Sequence, residues 1–271
     1  MVDVQSGFAP INGANLYYEV AGQGHPLLLV HAGVADSSMW DDQFGVFAEQ
    51  YRTIRYDMRG YGKSEPVAGE YANRDDLYAL LKFLSVERTH LIGCSMGGGT
   101  CMDFALEHRE MASALIMVAS GPTGLDLGLP PPDGFEAIEA AEAAKDWDRM
   151  AELETHLWFD GSKRTSDQVD QAARARLLAM NRRAIEHAAK QLGTHVPPLK
   201  PSAADRLNQL QLPVLVIYGD RDVPYIQGAA LYMGENLPNA QRALMIGTAH
   251  LPNMERPTEF NHLVLNFLKQ L

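Results

Sequence analysis

The chain has 271 residues, enough for one large hydrophobic core or a core with an inserted cap. Hydrophobic residues make up 46% and charged residues 21%, an ordinary globular balance, while the formal net charge is −11. That acidity excludes nucleic acid as a partner, because phosphate binding needs a cationic surface, and it disfavours docking onto anionic membranes.

The first residues, Met1-Val2-Asp3-Val4-Gln5-Ser6-Gly7, carry neither a basic start nor an apolar stretch, so no secretory signal is expected. No run approaches the ~18 apolar residues of a membrane span. The turn Ile11-Asn12-Gly13 leads into a strand predicted at 16–20. Residues 26–30, Pro-Leu-Leu-Leu-Val, are unbroken apolar, as in a strand buried on both faces of a parallel sheet. A helix at 39–49 precedes a strand at 52–56, and a helix at 73–84 precedes a strand at 89–92. A helix beginning near 100 and a strand at 113–118 follow. Strands at 213–218 and 242–246 alternate with helices at 226–234 and 258–269. This rhythm predicts an α/β protein, a doubly wound and mostly parallel sheet with helices on both faces.

One stretch departs from it. Between 121 and 204 no strand is predicted; proline runs open and close the segment, and 134–159 and 166–192 read as helices rich in Ala, Glu, Arg and Leu. The expectation is a core of 1–121 and 205–271 with a helical cap over 122–204. Arg174, Arg176, Arg182 and Arg183 form a basic run within the cap, read as a solvated helix face.

The segment Gly93-Cys94-Ser95-Met96-Gly97-Gly98 is a G-x-S-x-G motif between the strand at 89–92 and the following helix. A serine on such a turn is held in a strained backbone with its hydroxyl above the sheet, and flanking glycines avoid collisions with neighbouring strand and helix. Ser95 is therefore the candidate nucleophile. The thiol of Cys94 is expected to point back into the sheet, buried and inert. With Cys101 it makes a poor structural staple, so both are read as reduced thiols of a cytoplasmic protein.

A serine alcohol needs a base, an orienter for that base and donors for an oxyanion. The strand at 213–218 runs into Gly219-Asp220-Arg221-Asp222, and that at 242–246 into Gly247-Thr248-Ala249-His250. Both are positions where a doubly wound sheet presents functional side chains. His250 is the candidate base among nine histidines, since its loop leads to the sheet edge that carries Ser95. Either aspartate fits the chain order Ser, Asp, His.

With His31-Ala32-Gly33 and Asp57-Met58-Arg59-Gly60-Tyr61-Gly62-Lys63-Ser64, these motifs make the chain resemble an α/β-hydrolase over nearly its full length outside the cap. The resemblance implies an eight-stranded sheet with Asp222 as the acid, Asp220 serving as a turn former. It also implies an oxyanion hole from the N–H groups of Met96 and Gly33, a loop-shaping role for His31, and Arg59 and Asp57 bracing the sheet edge. The family usually has glycine where this chain has Ala32. Gly60-Tyr61-Gly62-Lys63-Ser64 ends like a phosphate-binding loop, but Asp57 stands where that motif's first glycine would fall.

No metal-ligand spacing occurs, and neither metal nor cofactor is expected. Trp158 and Phe159 are candidate substrate-binding residues. The function implied is a carboxylesterase cleaving small to medium esters through a Ser-His-Asp acyl-enzyme, with a small-molecule ester or lactone as partner. Alternatives are a lactonase, since the chain is similar to 3-oxoadipate enol-lactonase-like proteins, a carbon–carbon bond hydrolase, and a ligand receptor that retains the triad.

Overall fold

The computed structural model describes residues 3–161 and 163–271. Met1 and Val2, with which the segment read as lacking a leader begins, and Ser162 lie outside the described residues.

Strands β1 (Val4–Ile11) and β2 (Ala14–Ala21) form an antiparallel hairpin. At its turn Asn12 and Gly13 both take positive φ, 45° and 82°, the demand that an Asn-Gly pair meets best. The chain continues through β3 (Pro26–Val30), α1 (Asp41–Ala48), β4 (Arg52–Tyr56), a two-residue β5 (Glu70–Tyr71) and α2 (Asn73–Phe83). Then come β6 (Thr89–Cys94), α3 (Met96–Glu107) and β7 (Ala112–Val118). Helices α4 (Phe135–Ala143), α5 (Trp147–Thr155) and α6 (Gln171–Ala188) and a short β8 (Thr194–His195) follow. The chain ends with β9 (Val214–Gly219), α7 (Pro224–Asn236), β10 (Ala240–Met245), α8 (Pro252–Glu255) and α9 (Pro257–Leu268).

Eight strands make one sheet, in the order β1-β2-β4-β3-β6-β7-β9-β10. In the sheet order from β4 to β10 all neighbours pair in parallel; β2 alone runs the other way, antiparallel to both β1 and β4. Successive side chains of β3 explain its unbroken apolar run. Leu28 and Val30 enter one core cluster with residues of α2, α3 and α7, while Leu27 and Leu29 enter a second with residues of α1 and α9. Burying both faces places the carboxyl ends of the central strands along one edge, where the connecting loops gather.

Three expectations need correction. Strand β1 escaped prediction because its outward residues are exposed and only Ala9 and Ile11 are buried, so its alternation is weak. The segment expected to lack strands contains β8, which pairs with β5 and so ties the exit of the segment to the loop before α2. The helix expected at 134–159 breaks at Ala144–Asp146 and ends in one π turn, His156–Asp160.

The basic run of α6 is likewise not a free solvated face. Arg183 reaches Asp36 at 2.6 Å and Arg176 reaches Asp42 at 2.7 Å, both in the core. Arg174 pairs with Asp160 and Glu152, and Arg182 with Asp148. Among the described residues, no helix is long and apolar enough to cross a membrane.

Candidate active site

Ser95 lies between β6 and α3 with φ 51° and ψ −117°. A non-glycine residue in that region costs about 1–3 kcal/mol and persists only where its surroundings enforce it. They do so through the backbone: Ser95 N–H donates to Val118 O at 2.9 Å, and its carbonyl accepts Gly98 N–H at 2.9 Å and the Ser120 hydroxyl at 2.6 Å. The glycines leave no alternative. A Cβ at Gly93 would stand 2.3 Å from Gly97 O, and one at Gly97 would stand 2.5 Å from the carbonyl oxygens of Val30 and His31. Ser120 escaped the sequence reading; its only signal is a small polar residue just past a strand beside the elbow.

His250 and Asp222 meet at this edge. Imidazole Nδ1 lies 2.8 Å from Asp222 Oδ2, and the other carboxylate oxygen accepts Val223 N–H at 2.7 Å. Both side chains are buried. A carboxylate can only accept, so Nδ1 carries the proton and Nε2 of the neutral ring is left with its lone pair. The segment bearing His250 packs on the elbow: Cys94 Sγ donates to His250 O at 3.7 Å. No hydrogen bond joins the Ser95 hydroxyl to the imidazole, a contact that often tightens only when substrate binds. Asp220 has another task. Its carboxylate accepts Gly247 N–H and so ties the loop after β9 to the loop after β10.

Close packing holds these two loops together. A Cβ at Gly219 would lie 2.1 Å from Thr248 O. Behind them Glu255 accepts Ala249 N–H at 2.6 Å, and Arg164 reaches Glu255 at 2.7 Å and donates to Gly247 O at 2.9 Å and Phe159 O at 2.8 Å. Burial pushes the Glu255 carboxyl up to about 7, outweighing the opposing pull of Arg164. This clamp also escaped the sequence reading, because nothing in the spacing of residues 164, 247 and 255 connects them.

Met96 is the first residue of α3, where an N–H has no intrahelical acceptor. Gly33 lies against it: a Cβ at Gly33 would stand 3.7 Å from Met96 Sδ. Neither N–H makes a hydrogen bond among the described residues. Ala32 fits this loop without strain, since its φ is not positive. His31 is fully buried, and its Nε2 accepts Met58 N–H at 2.9 Å while Nδ1 donates to Ala32 O at 2.8 Å. An amide can only donate and a carbonyl only accept, so the tautomer is fixed; burial lowers its pKa and keeps the ring neutral.

Asp57 and Arg59 brace the edge separately. Asp57 accepts the N–H groups of Ser37 at 2.8 Å and Lys63 at 2.7 Å, whereas Arg59 forms a buried pair with Asp76 at 3.0 Å.

Of the two aromatic candidates, Trp158 reaches the site and Phe159 does not. The Trp158 ring lies 4.5 Å from the His250 ring, and its carbonyl accepts His250 N–H at 3.1 Å. Phe159 is fully buried in the core cluster of α1 and α9, because the π turn rotates it inward, so its assignment to substrate is corrected. A cavity of about 670 Å³ opens beside Ser95 and Met96, running past Gly99 and Thr100. Among the described residues, no group of three or more His, Cys, Asp or Glu could hold a metal ion.

A doubly wound sheet with a strained serine between strand and helix, and an Asp–His pair on later loops of the same edge, defines a hydrolase class. The chain belongs to the alpha/beta hydrolase family, whose profile matches residues 27–263. It is 31% identical to a 2-hydroxy-6-oxononadienedioate/2-hydroxy-6-oxononatrienedioate hydrolase of Paraburkholderia phymatum, covering 94% of this chain and 91% of that protein. Identity to a 2-hydroxy-6-oxo-6-phenylhexa-2,4-dienoate hydrolase of Comamonas testosteroni is 27%, over 98% and 96% of the two chains. Among solved structures, Est816, described as an N-acyl homoserine lactone degrading enzyme, matches with TM-score 0.77 and 25% identity over 96% and 100% of the chains. The enol-lactonase of Burkholderia xenovorans LB400 shares the fold, with TM-score 0.79 and 20% identity over 97% and 100%.

Proposed function

We propose that this hydrolase cleaves carboxylic esters, open-chain or cyclic, by a Ser95-His250-Asp222 acyl-enzyme mechanism beneath a helical cap formed by 122–204. The observation that carries the reading is the buried Asp222–His250 pair at 2.8 Å, which leaves Nε2 with its lone pair on a segment that packs against the elbow of the strained Ser95. Nε2 takes the Ser95 proton as the oxygen attacks the carbonyl carbon, and Asp222 stabilises the imidazolium. The N–H groups of Met96 and Gly33 receive the oxyanion, a type of donor worth roughly 10²–10³ in turnover. The imidazolium then protonates the leaving alkoxide, and water releases the acyl group through the same geometry. No step calls for a metal or cofactor. Two buried free thiols suit a reducing, cytoplasmic setting.

A second reading, carbon–carbon bond cleavage, is favoured by the relatives at 31% and 27% identity. It uses the same nucleophile but needs a substrate whose carbon leaving group departs as a stabilised carbanion. An ester needs only a proton on oxygen, which His250 supplies, so the ester reading asks less of the residues present. One panel tests both: p-nitrophenyl esters of graded acyl length, γ- and δ-lactones, and a 2-hydroxy-6-oxodienoic acid. Turnover of esters or lactones that disappears in Ser95→Ala is the expected outcome. Turnover of the dienoic acid alone replaces the first reading with the second.

A further inference from the structure

The cavity beside Ser95 is a groove with a direction. Helix α3 places Ser95, Gly99 and Asp103 four residues apart along one face, and all three line the groove. Eight residues at the helical rise span roughly 12 Å, so Asp103 marks an end well away from the candidate nucleophile. Gly99 keeps the floor open, since a Cβ there would meet nothing nearer than Thr123 Cγ2 at 3.5 Å. The opposite wall includes Val196, Pro197 and Pro198, held in place by the pairing of β8 with β5.

Arg74, in the first turn of α2, lines the same groove. Its side chain is only 18% exposed, yet it makes no hydrogen bond among the described residues. Among the described residues its sole ion pair is a long one, 3.6 Å to the 60%-exposed Asp75. A guanidinium that lines a cavity, largely enclosed and with no hydrogen-bonded partner among the described residues, presents donors that a ligand can fill. Three other titratable side chains line the groove, His195, Asp103 and Tyr225, the last donating its hydroxyl to Leu125 O at 3.0 Å. His195 shares its Nε2 with the Tyr71 hydroxyl at 2.9 Å, and burial lowers its pKa so that the ring is neutral. Asp103 accepts the Thr123 hydroxyl at 2.7 Å; burial raises its pKa against the opposing pull of that bond and of the Arg74 charge.

We propose that Arg74 is a specificity-determining residue that binds a carboxylate, or a comparable anionic group, at the remote end of an extended and mainly apolar substrate arm lying along α3 from Ser95. This rests on the reading of Ser95 as the nucleophile.

The test compares p-nitrophenyl half-esters of adipic, suberic and sebacic acids with p-nitrophenyl esters of matched length that end in methyl or ammonium. Acetate esters of ω-hydroxy acids cover the case in which the arm is the alcohol. The expected result is a preference for the carboxylate-ended substrate at one chain length. Arg74→Gln lowers that preference roughly tenfold to a hundredfold, the effect of losing charge-assisted hydrogen bonds, and Arg74→Lys restores part of it. Asp103→Asn raises it. An unchanged ratio in Arg74→Gln, or a preference for the ammonium-ended ester lost in Asp103→Asn, overturns the proposal. Calorimetric binding of suberate to Ser95→Ala, and its loss in Ser95→Ala with Arg74→Gln, reads the same contact without turnover. Failure of the hydrolase reading alone abolishes turnover of every ester but leaves that binding intact.

Discussion

At the scale of single residues, hydrogen bonds dictate the tasks of Asp222 and His250. Asp222 fixes the tautomer of His250, so Asp222→Asn, which presents a donor instead, should lower turnover roughly 10⁴-fold, and Ser95→Ala should lower it at least as much. Steady-state hydrolysis of p-nitrophenyl acetate by the folded variants measures both. Glu255 gives a prediction of a different kind. Its folded pKa is raised from 4.5 to about 7, so the folded protein holds a proton that the unfolded chain releases. The associated stability is fully present below about pH 4.5 and is lost as pH rises through about 7. Glu255→Gln should flatten this fall in thermal stability between pH 5 and 8, and an unaltered slope in melting temperature would count against the assignment.

At the scale of elements, the site is a set of close backbone approaches. Gly97→Ala would drive a methyl to 2.5 Å from the carbonyl oxygens of Val30 and His31, forcing α3 away from β3. We expect a loss of about 1–3 kcal/mol by denaturant unfolding, with a larger proportional loss of turnover because Met96 N–H and Ser95 move with the helix. The pair between Arg59 and Asp76, 3% exposed on both sides, fastens α2 to the loop after β4. Asp76→Ala strands a buried guanidinium and should cost about 3–5 kcal/mol in the same assay.

Legibility in the sequence divides along similar lines. Pro26–Val30, buried on both faces, announces itself by an apolar run and matches its predicted bounds, and Arg52–Tyr56 matches its own although it carries two partly buried arginines. The elbow and His250 were legible as candidates because serine chemistry needs particular residue types at strand ends, whereas Asp222 was preferred to Asp220 only through the family resemblance. Strand β1 was not, since its exposed face hides the period, and β8 is two residues long, too short to carry any pattern. Phe159 and the Arg164–Glu255 clamp were illegible for one reason: a π turn and long-range contacts choose which way a side chain faces, and local spacing does not encode that choice.

At the scale of the whole molecule, the segment between β7 and β9 is joined to the sheet by contacts of unequal strength. The arginines of α6 that reach Asp36 and Asp42 are 47% and 40% exposed, so water and salt screen these bonds. Arg176→Ala should cost less than about 1 kcal/mol, and the difference from the parent should shrink in 1 M sodium chloride. A loss of several kcal/mol on urea unfolding would contradict that view. Arg164, by contrast, is largely enclosed and bonds three backbone carbonyls and a carboxylate. The inserted helices are therefore anchored most firmly next to His250, not where their charge is most conspicuous.

The two sulfhydryls carry a practical consequence. Cys94 and Cys101 are both fully enclosed, and burial raises the pKa of each, which leaves them protonated and out of reach of alkylating reagents. Iodoacetamide should spare the native molecule and modify it only as fast as the sheet opens. Cys94 thus sets a chronometer for unfolding one residue away from the candidate nucleophile, its alkylation readable by mass spectrometry.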